Sequence, residues 1–213
     1  MLREPKAITT MNSVLGVKYD GGILVASDMA INYGTCYKFS DISHFVQLTP
    51  SLIIGASGEY ADFQIIVDIV QSLIREHECE TGGDYLAPEQ IFSYVKRVLY
   101  QQRSRMRPLG LKILIAGFQR NGSSFLGAVD LYGTAWTDDF IGTQAAAHMQ
   151  SPALAQAANQ DRETVKKAME DVFQTITSRF NVANGKIEFF DITKDGINRF
   201  EQKIEPNWEI LEE

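Results

Sequence analysis

The alternation of hydrophobic and polar positions predicts a β-hairpin near the start of the chain. The segments "SVLGVKY" and "GILVASD" have strand-like patterns, and they meet at 20–22, an Asp-Gly-Gly sequence that is typical of tight turns. A second antiparallel pair is predicted at 45–48 and 52–56, where a short turn around Pro50 separates two apolar runs. The first third of the chain is therefore predicted to be antiparallel β-structure.

Two amphipathic helices are predicted after this block of strands. Apolar residues recur at intervals of three and four between Phe63 and Ile74, which is the helical period, and the stretch "ETGGDYLAP" ends the pattern. A second helix is predicted to begin at Pro88, because proline is favoured in the first turn, and to end before Pro108.

Strands and helices are predicted to alternate once more in the second half of the chain. The apolar runs "LKILIAGFQ" and "SFLGAVDLYGTAW" flank Asn121-Gly122, which is a strong hairpin signal. Helices are predicted at about 144–160 and 161–180 from their periodicity. The segment "KIEFFDITKDGINRFE" predicts a closing hairpin with its turn at Asp195-Gly196.

This order of elements indicates an α+β fold. Each antiparallel sheet has to bury one face, and stacking two sheets face to face with helices outside satisfies that requirement. We expect a four-layer αββα sandwich of two antiparallel sheets flanked by helix pairs. Because the sequence has no linker-like stretch or periodic repeat, residues 1–213 are predicted to form a single domain.

Composition and charge exclude several function classes. Hydrophobic residues make up 45% of the chain and charged residues 22%, as in ordinary globular proteins. A net charge of −7 disfavours nucleic-acid binding, since such proteins collect lysine and arginine on one face. The one basic stretch, Arg103 to Arg107, is interpreted as a helix end, where cations complement the helix dipole, with a nucleic-acid patch as the alternative.

Cysteine usage and the absence of targeting patterns indicate a reduced intracellular protein. Cys36 and Cys79 are too few for the disulfide framework of a secreted domain. No apolar run has the length of a signal peptide core or a membrane helix, so neither export nor membrane insertion is predicted.

Several spaced blocks of the sequence resemble a known family. The blocks are "NSVLGVKYDGGILVASDMAINYG", "LIIGASGEYADFQ", "YQQRSRMRPLG", "FLGAVDLYG" and "NWEI". They are similar to the beta subunits of the proteasome core particle, in the N-terminal-nucleophile hydrolase superfamily. The similarity runs from about Val14 to Ile210 and is greatest to the non-catalytic subunit type of the seventh beta-ring position. It implies the αββα fold that the element order predicts independently.

The resemblance also implies where a catalytic site would lie. Active members use an N-terminal threonine as nucleophile, with its own α-amine as base and with an aspartate and a lysine nearby. Asp28 matches the aspartate, and counting along the hairpin without gaps places the nucleophile position at Asn12 and the lysine position at His44. An amide has no hydroxyl to deprotonate, and a histidine lacks the compact charge and reach of a lysine. We therefore interpret Asp28 as a structural acceptor of hydrogen bonds.

The supporting positions of the family site have also changed. Active members carry a serine in a glycine-containing turn, whereas the matching segment here is "FIGTQAAAH". A later aspartate and serine correspond to Phe180 or Asn181 and to Ala183 in "SRFNVANG". The resemblance thus implies a degraded site.

Thr9 and Thr10 imitate the start of an active mature chain, and either of them as nucleophile of a threonine-type peptidase or amidohydrolase is the alternative hypothesis. Their spacing disfavours it, because Thr10 reaches the nucleophile position only if two residues are removed from a hairpin that otherwise pairs cleanly. Active precursors are also cut after a glycine, which is absent here. We interpret residues 1–11 as an N-terminal arm or propeptide remnant.

Other catalytic or metal-binding patterns are incomplete. "GASGE" lacks the final glycine of a serine-hydrolase elbow, because Glu59 stands there, and we interpret it as a strand-to-helix turn. His77 and Cys79 lack further ligands at metal-binding spacing, and "DITKDGIN" lacks the closing glutamate of a calcium loop. His148 is interpreted as a packing or interface residue. No metal or cofactor is expected.

The resemblance and the missing nucleophile together imply a non-catalytic structural beta subunit. Its partners would be the other alpha and beta subunits of a four-ring particle of 28 subunits that degrades proteins in the cytoplasm and nucleus in an ATP- and ubiquitin-dependent process. The family's tail across to the opposite ring corresponds to residues 205–213, where Trp208 and Ile210 are the candidate interface anchors. A free-standing adaptor with the same fold is a third hypothesis.

Overall fold

A computed structural model describes residues 9–34, 36–148, 152–180 and 185–206 of the chain. In these residues the strands are, in chain order, β1 (Thr9–Met11), β2 (Val14–Tyr19), β3 (Gly22–Asp28), β4 (Ile31–Tyr33), β5 (Cys36–Phe39), β6 (Phe45–Thr49), β7 (Leu52–Glu59), β8 (Leu111–Phe118), β9 (Ser124–Val129), β10 (Ala135–Thr137), β11 (Phe140–Gly142), β12 (Lys186–Thr193) and β13 (Gly196–Lys203). The helices are α1 (Tyr60–Thr81), α2 (Pro88–Ser104), α3 (Gln144–His148), α4 (Pro152–Ala157) and α5 (Arg162–Arg179).

Two antiparallel sheets lie face to face between two layers of helices. The larger sheet has the order β10-β9-β8-β7-β1-β4-β5, with β6 paired to β7, and the smaller sheet has the order β11-β2-β3-β12-β13. One apolar cluster joins the larger sheet to α1 and α2, and another joins the smaller sheet to α3, α4 and α5. A third cluster fills the space between the sheets. The predicted four-layer αββα sandwich is confirmed.

The predicted hairpins are present, with one difference in a turn. Tyr19 pairs with Gly22 across the first hairpin, and β2 and β3 pair without a bulge. In the closing hairpin Thr193 pairs with Gly196, so the turn residues are Lys194 and Asp195. The prediction of a turn at Asp195-Gly196 is therefore wrong by one residue. Gly196, with a φ of 145°, already begins β13.

The helical segment predicted at 144–160 comprises two short helices, α3 and α4, and residues 149–151 lie outside the described part. The next helix was predicted to begin at Asp161, but α5 begins at Arg162 and Asp161 precedes it. Its carboxylate accepts a hydrogen bond from the backbone N–H of Thr164 at 3.0 Å, which is the bond of an N-cap residue. This cap sets the start of α5.

The prediction of a strand-to-helix turn at Gly55 to Glu59 is also wrong. Strand β7 continues to Glu59, and α1 begins at the next residue, Tyr60. Gly58 has a φ of 112°, and a Cβ atom there would overlap with the carbonyl oxygen of Gly110. A glycine is required at this position because the neighbouring backbone occupies the space of a side chain.

Strand β1 is central to the larger sheet, although no pattern predicted it. It lies between β7 and β4, where Met11 pairs with both Gly58 and Ile31. The side chain of Met11 is fully buried in the cluster beneath α1 and α2. With three residues, β1 is too short to show a period of two. Residues that follow it must cross from the larger sheet to the smaller one.

Candidate functional site

Asn12 lies at the crossover between the two sheets. The larger sheet holds the chain up to Met11, and the smaller sheet takes it from Val14 onward. The Asn12 Nδ2 atom donates a hydrogen bond to Asp28 Oδ2 at 2.7 Å, while Asn12 Oδ1 accepts one from Asn32 Nδ2 at 2.8 Å. Both ends of the Asn12 amide are therefore engaged by buried polar neighbours.

His44 completes the group of three residues that the sequence singled out. It is fully buried, and Asp28 is 2% exposed. The His44 Nε2 atom lies 3.1 Å from the carbonyl oxygen of Ala30, which can only accept, so Nε2 carries the proton. His44 Nδ1 lies 3.7 Å from Asp28 Oδ1, which is longer than a hydrogen bond. The structure thus brings Asn12, Asp28 and His44 together.

Burial shifts the pKa of both titratable groups toward their neutral forms. Desolvation raises the pKa of Asp28 to about 7, against the opposing effect of the Asn12 hydrogen bond. Desolvation lowers the pKa of His44 to about 4. Near neutral pH His44 is consequently uncharged, and it supplies no cation beside Asp28.

These opposite pKa shifts predict an unusual pH dependence of stability. The raised pKa of Asp28 contributes stability at low pH that is lost as pH rises from 3.8 to about 7. The lowered pKa of His44 contributes stability above 6.5 that is lost as pH falls to about 4. In the shared interval the two slopes oppose each other.

The Asp28→Asn variant is expected to reveal the slope that belongs to His44. Its own free energy of unfolding should rise by up to ~1.4 kcal/mol per pH unit between pH 4 and 6.5, whereas the opposing Asp28 slope should keep the wild-type profile flatter. Urea denaturation of the full-length chain at several pH values measures this, with Asp195→Asn, in the exposed turn between β12 and β13, as the control. A flat Asp28→Asn profile in this interval would show that His44 is not held neutral, and a profile parallel to that of the wild type would show that the pKa of Asp28 is not raised.

A buried carboxylate that sequence reasoning missed holds the segment before β6 in place. Glu188 of β12 is fully buried, and its Oε1 atom accepts hydrogen bonds from Ser43 Oγ at 2.7 Å, His44 N at 3.0 Å and Ser27 Oγ at 3.1 Å. A guanidinium nitrogen of Arg199 lies 3.4 Å from its other oxygen. Glu188 thereby fixes the backbone that carries His44.

A signal for Glu188 was present in the sequence. Side chains of a strand alternate between faces, and Phe190 and Ile192 of β12 belong to the cluster between the sheets. Glu188 lies on the same face of the strand as these two residues, so the alternation places a carboxylate against an apolar layer. Such a residue needs several donors, and it is a candidate for a structural or functional role.

Two hydroxyl groups also organise the crossover. The Thr143 hydroxyl accepts from the backbone N–H of Val14 at 3.0 Å and lies 3.3 Å from the carbonyl oxygen of the same residue. Ser13 Oγ accepts from the backbone N–H of Ala146 at 3.2 Å. The segment "FIGTQAAAH" lacks the family's serine, and the hydroxyl it does supply binds backbone atoms of β2.

A cavity of about 300 Å³ adjoins Asn12. Its lining comes from β1, the crossover and the helices α3 and α5: Thr10, Met11, Asn12, Ser13, Gln144, Ala145, His148, Ile176 and Phe180. His148 is exposed at the end of α3, and Phe180 follows the end of α5. Two residues matched to the family's supporting site, Asn181 and Ala183, lie outside the described part of the chain.

Thr9 and Thr10 are strand residues in this structure. Thr10 pairs with Asn32 and Glu59, and the backbone N–H of Thr9 donates to the Glu59 carboxylate at 3.0 Å. Among the described residues, no hydrogen bond joins either threonine hydroxyl to Asp28. The side chain that contacts Asp28 is that of Asn12.

In the part of the chain that the structure describes, the remaining candidate residues form no further site. His77 and Cys79 lie on α1, and the described residues contain no cluster of three or more side chains suited to a metal. Cys36 and Cys79 are exposed free thiols. Within the described ranges, none of the helices has the length and apolar character required to cross a membrane.

Comparison with known proteins gives one consistent result. The family model described as "Proteasome subunit" matches residues 9–192. Proteasome subunit beta type-4 of Dictyostelium discoideum is 36% identical over 194 residues, covering 89% of this chain and 74% of the relative. The Xenopus laevis beta type-4 subunit is 33% identical over 208 residues, covering 95% and 86%.

A relative from yeast is named as a beta type-7 subunit. Proteasome subunit beta type-7 of Saccharomyces cerevisiae is 30% identical over 186 residues, covering 85% of this chain and 70% of the relative. The region that the family model matches includes the larger sheet, the smaller sheet up to Ile192 of β12, all the helices and the crossover at Asn12. The two-sheet architecture, the family model and these relatives agree, and the chain belongs to the proteasome subunit family.

Proposed function

We propose that this chain is a non-catalytic structural beta subunit of the proteasome core particle, related to the subunit of the seventh beta-ring position. Its relatives are named beta type-4 and beta type-7 subunits, which supports a place in a beta ring. In this role it supports ring assembly, and through it the ATP- and ubiquitin-dependent degradation of proteins by the whole complex.

The contact between Asn12 and Asp28 carries this proposal. A threonine-type hydrolase needs a hydroxyl at this position and a free α-amine on the same residue. Asn12 has an amide that donates to Asp28 at 2.7 Å, and its backbone nitrogen is joined to Met11 of β1. Neither the nucleophile nor the base is available there.

The environment of His44 supports the same conclusion. A lysine ammonium at this position would stabilise negative charge and lower the pKa of nearby groups. His44 is buried, with its pKa lowered to about 4, and its Nε2 atom is engaged by the carbonyl of Ala30. A neutral ring held in this way orders the backbone instead of assisting proton transfer.

The position of β1 supports retention of the segment before Asn12. Removing residues up to Met11 would take a strand from the middle of the larger sheet and leave unpaired edges on β7 and β4. We therefore propose that residues 1–11 act as a retained arm. Residues 1–213 would then form one domain.

The C-terminal tail is proposed as a contact to the opposite ring. Residues 207–213 lie outside the described part of the chain, and with them the candidate anchors Trp208 and Ile210. Deleting residues 207–213 should lower the yield of double rings on native gels. An unchanged yield would remove the tail from the proposal.

Assembly is the direct test of a structural role. Obligate interfaces bury more than ~2,000 Å² in total, and the isolated chain should be poorly stable without them. An N-terminally tagged chain, purified from cells, should bring down alpha and beta subunits in the four-ring particle of 28 subunits, from both cytoplasm and nucleus. A monodisperse small species without other subunits would instead identify a free-standing adaptor.

A further inference from the structure

The end of helix α2 has an unusual residue in a tight backbone motif. The backbone N–H of Arg107 donates to the carbonyl of Gln102 at 3.0 Å, and that of Met106 donates to the carbonyl of Arg103 at 3.1 Å. These two bonds define a Schellman motif, in which the residue at the position of Met106 is left-handed and is usually glycine. Met106 adopts a φ of 58° there.

The side chain of Met106 gains little from its own chain. It is 72% exposed, so it contributes almost no burial to the apolar clusters of the fold. A residue with a Cβ atom is strained in the left-handed region, and glycine would relieve the strain. Strained residues that bring no benefit to the fold occur preferentially at functional surfaces. We therefore expect the Met106 side chain to contact another molecule.

Unpaired positive charges surround Met106. Among the described residues, Arg103, Arg105 and Arg107 form no ion pair, and Arg103 Nε is buried without a hydrogen-bond partner. The Arg103 guanidinium lies 5.7 Å from the ring centroid of Tyr100, which is 54% exposed. We call Tyr100, Arg103, Arg105, Met106 and Arg107 the arginine–methionine patch.

The charge of this patch is opposite to that of the protein. The whole chain has a net charge of −7, whereas the patch carries three arginines and no carboxylate. Tyrosine, arginine and methionine are also the residues that are enriched at the centres of protein interfaces. Charge complementarity and composition both indicate an acidic protein surface as the occupant.

We propose that the arginine–methionine patch is a docking surface for a neighbouring proteasome subunit that presents carboxylates around an apolar recess. Met106 fills the recess, and the three arginines pair with the surrounding carboxylates. This inference rests on the proposed function, because a neighbouring subunit is required. A nucleic-acid backbone fits less well, since phosphates offer no apolar recess for the exposed thioether.

Met106→Gly separates a docking role from a structural one. Glycine suits the left-handed backbone, so the urea midpoint of the isolated full-length chain should stay unchanged or increase. Incorporation into particles should decrease instead. Wild-type and variant chains with different tags are expressed together, and their ratio in purified particles is measured. The variant should be at least about threefold under-represented if Met106 is an interface anchor.

A charge reversal tests the arginines with a matched control. The double variant Arg105→Glu, Arg107→Glu should be under-represented in particles by about tenfold or more, because it places carboxylates against carboxylates. Lys96→Glu reverses an exposed charge on the same helix outside the patch, and it should incorporate nearly as well as the wild type.

The outcomes distinguish this inference from the function on which it rests. If wild-type chains enter particles and the patch variants enter equally well, the docking surface is refuted while the structural role remains. If wild-type chains enter no particle, both fail together. Binding of the purified chain to a labelled oligonucleotide, abolished by the double arginine variant, would identify a nucleic-acid patch and overturn the inference.

Discussion

Replacing Gly58 with alanine is expected to lower the free energy of unfolding by more than about 4 kcal/mol, which is exceptional for the addition of one methyl group. The new Cβ atom would overlap with the carbonyl oxygen of Gly110, and it would lie 3.1 Å from the Gly110 carbonyl carbon. Both atoms belong to the backbone, which cannot move aside as a flexible side chain can. A φ of 112° adds strain for any residue other than glycine.

The consequence of Gly58→Ala would extend to the crossover. Gly58 pairs with Met11 on one side and with Leu111 on the other. Moving it would separate β7 from both neighbours and displace the start of the segment that carries Asn12. Urea denaturation of the full-length chain and its yield in assembled particles measure the effect.

Gly82→Ala is the matched control for this prediction. Gly82 also has a positive φ, of 75°, but a Cβ atom there would meet nothing within 4 Å. Its replacement should cost only ~1–2 kcal/mol from backbone strain. If Gly58→Ala lowers the free energy of unfolding by no more than Gly82→Ala does, β7 does not approach the backbone of Gly110 as closely as the structure shows.

Replacing Met11 with alanine should lower the free energy of unfolding by ~2–5 kcal/mol, through lost burial and the cavity left behind. Met11 is fully buried, and 0% of its surface is accessible to solvent. It packs in the same cluster as Phe63 and Ile66 of α1. The loss follows from its place on the central strand β1 and can be measured by chemical denaturation.

Thr9→Ala provides the control on the same strand. Thr9 is only half-buried, so its truncation should change stability by about 0.5–1 kcal/mol. Equal effects at Thr9 and Met11 would show that β1 is a loosely attached arm. Unequal effects would support the proposal that the chain keeps this strand, because cleavage before Asn12 would detach Met11 from the fold.

The sequence predicted the elements whose pattern is long enough to be read locally. The hairpin of β2 and β3, the helices α1 and α2 and the closing hairpin each extend over many alternating or periodic residues. The short strands β1, β4, β10 and β11 have three residues each, and they exist because neighbouring strands supply their hydrogen bonds. Such tertiary pairing leaves no periodic signal in the chain.

The candidate site was partly predictable for a related reason. Asn12 precedes β2, Asp28 ends β3, and the two strands pair without a bulge. Counting residues along the hairpin therefore places Asn12 and Asp28 close together, and their side chains are 2.7 Å apart. Glu188 depends on donors from Ser27 and Ser43, which are distant in sequence. Their convergence follows from the pairing of β12 with β3, which a single-chain pattern does not specify.

The N-terminus and reactivity of this chain inside the native particle test the central claim most directly. Particles purified through the chain are treated with a covalent inhibitor that reacts with N-terminal threonines, and intact masses are then recorded. We predict that this chain retains residues ahead of Asn12 and carries no adduct, while other beta subunits of the same particle are labelled. A chain that begins at Thr9 or Thr10 and carries the inhibitor would contradict the account.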